Sequence, residues 1–86
     1  MKISYSKGFL RQAKLLSSSQ KQALTAAIEL FEQNPAYPTL RNHPLRGKFK
    51  TYRSIDIEPD LRALYIQKTN NETVFVAIGT HAQLYE

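Results

Sequence analysis

Cysteine is missing from all 86 residues, which excludes disulfides, thiolate catalysis and cysteine-ligated zinc together. Long apolar runs are missing too, so no segment reads as a membrane span. The opening Met1-Lys2-Ile3-Ser4-Tyr5-Ser6-Lys7 holds no continuous apolar stretch ahead of a small-residue cleavage site. Without a secretion signal the expected compartment is the cytoplasm. Only three glycines are present, none of them in a phosphate-cradling loop. A Gly-x-Ser-x-Gly elbow and a helix with paired metal-binding histidines are equally lacking, so neither cofactor nor metal is expected. Internal repeats, low-complexity tracts and Gly- or Ser-rich linkers do not occur, which leaves residues 1–86 as one small domain.

Acid is locally scarce. Residues 35–53 carry Arg41, Arg46, Lys48, Lys50 and Arg53 with no Asp or Glu among them, whereas acids outnumber bases after residue 53. The formal net charge of +5 is therefore concentrated in the middle of the chain. Such a block draws polyanions by releasing their counterions, and Phe49 and Tyr52 within it offer rings for bases to stack on. A solvated, lysine-rich face is the bland reading of the same pattern.

The chain changes character once, from helical spacing before Asn34 to strand-like alternation after Gly47. Ile3 to Tyr5 reads as a short first strand. Ser6 then caps a helix with Phe9, Leu10, Ala13 and Leu16 on one stripe. Ser19 with Gln22 has capping-box spacing, and Leu24, Ala27, Ile28 and Phe31 recur at helical intervals, so a second helix is expected over roughly 20–33. Pro35 stops it, and Pro38 and Pro44 keep the following stretch extended or looped. Lys50–Ile57 and Leu61–Lys68 read as a hairpin around Glu58-Pro59-Asp60. After a turn at Asn70-Asn71, Thr73–Ile78 is the most apolar strand and the one expected at the centre of the sheet. Gly79 then permits a sharp turn. The predicted order is β-α-α-β-β-β, an α+β domain with two N-terminal helices on one face of a small antiparallel sheet and the other face open to a ligand. Strand parity leaves open which face is which, because Arg62, Leu64 and Ile66 alternate with Ala63, Tyr65 and Gln67.

The side chains able to do chemistry are few: His43 in the basic loop, His81 after the last strand, and Asp56, Asp60, Arg53, Arg62 and Tyr85. A lone histidine is more often structural than catalytic. Three stretches change the weighing: His43-Pro44-Leu45-Arg46-Gly47-Lys48-Phe49-Lys50-Thr51-Tyr52-Arg53, then Ile57-Glu58-Pro59-Asp60, then Gly79-Thr80-His81-Ala82-Gln83-Leu84-Tyr85. Together they resemble the YafQ-like branch of the RelE/ParE toxins, which is similar in its His-Pro-Leu-x-Gly start, Tyr-Arg pair, Glu-Pro-Asp turn and Gly-Thr-His-x-x-Leu-aromatic tail. Over the N-terminal half only the two-helix layout agrees.

The resemblance implies a RelE-like fold and a toxin of a type II toxin-antitoxin system that cleaves mRNA at the ribosome without a metal, by attack of a ribose 2′-hydroxyl on the adjacent phosphate. It also implies a cognate antitoxin as partner and no membrane. By position it makes His81 the general acid, lets His43 and Asp60 assist proton transfer or placement, sets Tyr85 against a base, and makes Arg62 the cation for the transition state. Arg46, Lys48, Lys50, Tyr52 and Arg53 would then contact RNA. The branch carries a second strand histidine, a tryptophan after the turn aspartate and an arginine in the last strand. This chain has Asp56, Leu61 and Ala77 there, so Asp56 stands as the replacement base and Arg62 as the compensating cation. Two other readings stay open: a ParE-like toxin that acts on DNA gyrase through protein contacts, and an RNA-binding module without chemistry.

Overall fold

Ser6 starts the first helix. Its hydroxyl oxygen accepts from the Phe9 N–H, satisfying one of the orphan donors at the start of α1, Lys7–Lys14. The computed structural model describes residues 1–85. Within α1 Phe9 is buried while Leu10 stays half exposed, so the apolar stripe is narrower than the spacing suggested. The second helix, α2, runs over Ser18–Gln33 and begins before the expected box at Ser19 and Gln22. Ser17 is the cap instead: its oxygen accepts from the Gln20 N–H, and its own N–H donates to Gln20 Oε1. Of two boxes with the same spacing, the earlier adds a half-turn of backbone hydrogen bonds, and the helix takes it. Asn34 ends α2 in an extended conformation just before Pro35.

The strands are β1 (Lys2–Tyr5), β2 (His43–Pro44), β3 (Arg53–Glu58), β4 (Leu61–Thr69) and β5 (Glu72–Gly79), in sheet order β1-β5-β4-β3-β2. The meander β3-β4-β5 is antiparallel as expected. The sheet as a whole is mixed, because β1 lies parallel to β5. This flank puts β5 inside the sheet, in keeping with its apolar sequence. The β1 pairing stops at Tyr5 opposite Phe75, and α1 covers the rest of that edge. The Ser6 hydroxyl donates to the Val76 carbonyl, and Gln12 Oε1 accepts from the Ile78 N–H. These bonds satisfy strand groups that β1 is too short to reach.

Both helices pack on one face of the sheet. Phe31 meets Tyr65 and Phe75 edge-on, at centroid distances of 5.0 and 5.3 Å, and Phe9 lies 5.9 Å from Phe75. Ile55, Leu61, Ala63 and Ile78 complete this core. The parity ambiguity is thereby resolved: Ala63 and Tyr65 face the helices, and Arg62 and Leu64 face away. A last short helix, α3 (His81–Tyr85), follows β5. None of the described helices is long and apolar enough to cross a membrane.

Candidate functional site

The face of the sheet turned away from the helices is covered at one end by the basic loop and by α3, leaving a cleft of about 650 Å³ between them. Asp56 and Arg62 come from adjacent strands, paired in register, and stand on its floor. The loop supplies Arg41, His43 and Arg46, and α3 supplies His81 and Tyr85. Of the residues expected from sequence, the cleft thus gathers His43, Arg46, Arg62, His81 and Tyr85. Asp60 lies at the rim in the β3–β4 turn, exposed, with a carboxylate oxygen 4.0 Å from Arg62 Nη1.

Other expected RNA contacts sit elsewhere. Lys48, Lys50 and Tyr52 are not in the lining, though Lys48 Nζ lies 5.3 Å from the Phe49 ring centre and the Tyr52 ring 6.2 Å from it. Arg53 shares the parity of Ile55 and so points to the helix side of the sheet. There its Nε donates to Asn42 Oδ1 at 2.9 Å, beside a separate cleft lined by Pro35, Tyr37 and Tyr65. Asn42 Nδ2 donates in turn to the Tyr65 hydroxyl at 2.8 Å and to the Pro35 carbonyl. This network ties the loop to the core at the residue between Arg41 and His43.

Arg41 has φ 48° and ψ 44°, the left-handed region, immediately after a 3-10 turn over Pro38–Leu40 whose buried Leu40 anchors the loop. For a residue with a side chain this costs about 1–2 kcal/mol. The conformation aims the Arg41 carbonyl at His43, whose Nδ1 lies 2.8 Å away. A carbonyl only accepts, so Nδ1 carries a proton and Nε2 is the ring nitrogen left for exchange with a ligand. Arg41 Nε also lies 3.7 Å from Asp56 Oδ2, while Arg62 Nε lies 3.5 Å from Asp56 Oδ1. The carboxylate is thus held between two guanidiniums and has a cationic neighbour on each oxygen.

His81 opens α3, with its ring 4.7 Å from that of Tyr85 one turn later, and Tyr85 meets Phe49 edge-on at 5.8 Å. Thr80 caps this helix. Its hydroxyl accepts from the Gln83 N–H, and Gln83 Oε1 accepts from the Thr80 N–H. Gly79 matters here through close approach: a Cβ at that position would come within 2.8 Å of Gln83 Oε1. Neither α3 nor the part played by Arg41 and Asn42 was read from the sequence. Thr80-x-x-Gln83 has capping-box spacing and was a legible signal for the helix. Nothing local marks the left-handed backbone of Arg41.

Cations, two imidazoles, a carboxylate and aromatic rings around one open cleft define the class: a small α+β protein whose cleft has the charge to suit a polyanion and the groups for proton transfer. Comparison with known proteins places it further. The profile of the family described as bacterial toxins of type II toxin-antitoxin systems, YafQ, matches residues 1–86, and the chain belongs to that family. It is 32% identical over 87 residues to the mRNA interferase toxin YafQ of Escherichia coli strain K12, spanning 96% of this chain and 94% of that protein. The crystal structure of YafQ from E. coli BL21(DE3) superposes with a TM-score of 0.79 at 31% identity, covering 98% of this chain and 97% of that one. The YafQ chain of an E. coli DinJ-YafQ complex superposes at 0.74, with 28% identity, covering 98% and 97%.

Proposed function

We propose that the protein is the toxin of a type II toxin-antitoxin pair and an endoribonuclease that cleaves mRNA on the ribosome. Support comes from family membership, from the mRNA interferase named among its relatives, and above all from one observation. His43 and His81, on separate elements, line the same cleft as Arg41 and Arg62. Cleavage by a ribose 2′-hydroxyl needs a proton acceptor, a proton donor and positive charge around the phosphorane.

Each role is assigned from the resemblance and from the chemistry that the side chain offers in this cleft. His43, with Nδ1 engaged by the Arg41 carbonyl, takes the 2′-hydroxyl proton on Nε2. The 2′-oxygen bonds to phosphorus as the bond to the 5′-oxygen breaks. His81 as imidazolium gives that oxygen a proton, and the products are a 2′,3′-cyclic phosphate and a 5′-hydroxyl. Arg62 offsets the charge that grows on the non-bridging oxygens. Tyr85, already packed on Phe49 and His81, offers a base a stacking surface. Both oxygens of Asp56 face guanidiniums, which favours a positioning role over the role of base. Asp60 at the rim assists placement, and Arg46, Lys48, Lys50 and Tyr52 track the strand. Arg53 is instead a brace for the loop. The cytoplasm is the compartment where ribosomes and an antitoxin meet the toxin. E. coli YafQ forms a toxin-antitoxin complex with DinJ, and we infer a cognate antitoxin for this chain as well.

The test is cleavage of a defined mRNA in a translating extract by the parent and by His81→Ala. Losing a general acid typically lowers the rate ~10²–10⁴-fold with association kept. Cleavage by His81→Ala within a few-fold of the parent would make His81 structural. A parent that leaves mRNA intact would remove the enzyme reading and favour an interaction toxin.

A further inference from the structure

Two groups in the cleft exchange no proton in this scheme: the Arg41 guanidinium and the Asp56 carboxylate between it and Arg62. We propose that Arg41 and Arg62 form a two-point clamp on the scissile phosphate, and that Asp56 is the positioning residue that holds both guanidiniums together until the phosphate takes its place. This deepens the ribonuclease reading and rests on it.

The clamp has a fixed jaw and a mobile one. Arg62 is set by the sheet, in register with Asp56 and with only 25% of its side chain exposed, whereas the Arg41 side chain is 79% exposed. Both Nε to carboxylate distances, 3.5 and 3.7 Å, exceed the ~2.7–2.9 Å of a closed charge-assisted hydrogen bond. Charge therefore holds the arginines near Asp56 while leaving their N–H forks uncommitted. A phosphate can take up those forks, since it presents two non-bridging oxygens to two planar donors. Its extra negative charge in the phosphorane strengthens the grip in the transition state rather than in the ground state. Asp56 in turn repels the phosphate and competes for the same cations, so it limits ground-state affinity. The strained backbone links the two halves of the chemistry, because one residue aims its carbonyl at His43 and its guanidinium over the cleft floor.

That backbone also supplies a clean variant. Arg41→Gly keeps the left-handed conformation, which glycine adopts without strain, and with it the carbonyl that holds His43. Only the guanidinium is removed. Two assays are run on parent, Arg41→Gly, Arg41→Lys and Asp56→Asn: single-turnover cleavage on ribosomes programmed with mRNA, and salt-dependent binding to ribosomes whose mRNA carries 2′-deoxyribose at the scissile nucleotide. Arg41→Gly should fold with an unchanged or higher melting temperature, cleave roughly 10–100-fold more slowly and lose about one phosphate contact from the salt slope. Arg41→Lys should recover the slope but only part of the rate. Asp56→Asn should bind more tightly at low salt yet cleave more slowly. An Arg41→Gly variant with the parent's slope and rate overturns the clamp and leaves the ribonuclease reading intact. So does weaker binding by Asp56→Asn. A parent whose binding depends on Arg41 but which never cleaves overturns the ribonuclease reading and with it the clamp, leaving at Arg41 a phosphate contact without chemistry. A parent without salt-dependent binding overturns both.

Discussion

Asn42→Ala should unfasten the loop that carries Arg41 and His43 from the core. Asn42 accepts from Arg53 Nε and donates to the Tyr65 hydroxyl and the Pro35 carbonyl, at 2.9, 2.8 and 3.1 Å. Each such bond is worth about 1 kcal/mol net. The abandoned partners border an open cleft, so water can re-satisfy them and no large burial penalty is added. The expected loss is therefore ~2–3 kcal/mol, which for a chain of this size lowers the melting temperature by roughly 10–20 °C. Tyr65→Phe removes only one of the three bonds and keeps the ring against Phe31 and Phe75, so it should cost about 1 kcal/mol. Urea unfolding of both variants and of the double variant tests the mechanism. The double variant should be more stable than the sum of the single losses implies, by about 1 kcal/mol, because the Asn42–Tyr65 bond can be lost only once. Cleavage by Asn42→Ala should also fall further than its folded fraction does, since Arg41 and His43 flank the freed residue. A loss below ~0.5 kcal/mol, the scale of ordinary surface substitutions, or strict additivity in the cycle would refute the fastening.

Other perturbations probe the remaining supports. Ser17→Ala should destabilise by about 1 kcal/mol while Ser19→Ala stays within a few tenths, because Ser17 is the cap in the folded protein; equal losses in thermal melts would contradict that. Gly79→Ala would drive a methyl group against Gln83 Oε1, break half of the box that starts α3 and shift His81. Cleavage should drop along with ~1 kcal/mol of stability, and parent-like cleavage would show that His81 tolerates the shift. Reversing Lys48 and Lys50 to Glu should flatten the salt dependence of ribosome binding, and an unchanged slope would exclude both side chains from the phosphate path.

Local rules carried much of this protein. The cap at Ser6, the stop before Pro35, the hairpin at Glu58-Pro59-Asp60 and the apolar last strand inside the sheet were legible, because each depends on a few neighbouring residues or on a short period, whereas the second cap fell at Ser17 rather than at the expected Ser19. The acid-free block and the three ordered motifs likewise pointed to a polyanion and to the family that the comparisons support. The choice of sheet face was different in kind. The set Arg62, Leu64, Ile66 and the set Ala63, Tyr65, Gln67 each mix apolar with polar residues until Phe31 and Phe9 are packed against one side, and that packing puts Arg62 on the cleft face while Arg53 braces the loop from the other. The parallel β1–β5 pair and the Gln12–Ile78 bond, 66 residues apart, rest on long-range closure that no local pattern encodes. So does the meeting of Arg41, Asp56 and Arg62, which takes a left-handed loop residue and the register of two strands to bring three charges into one cleft. Residue types therefore set which chemistry was available, and tertiary contacts alone set which of those residues share a site.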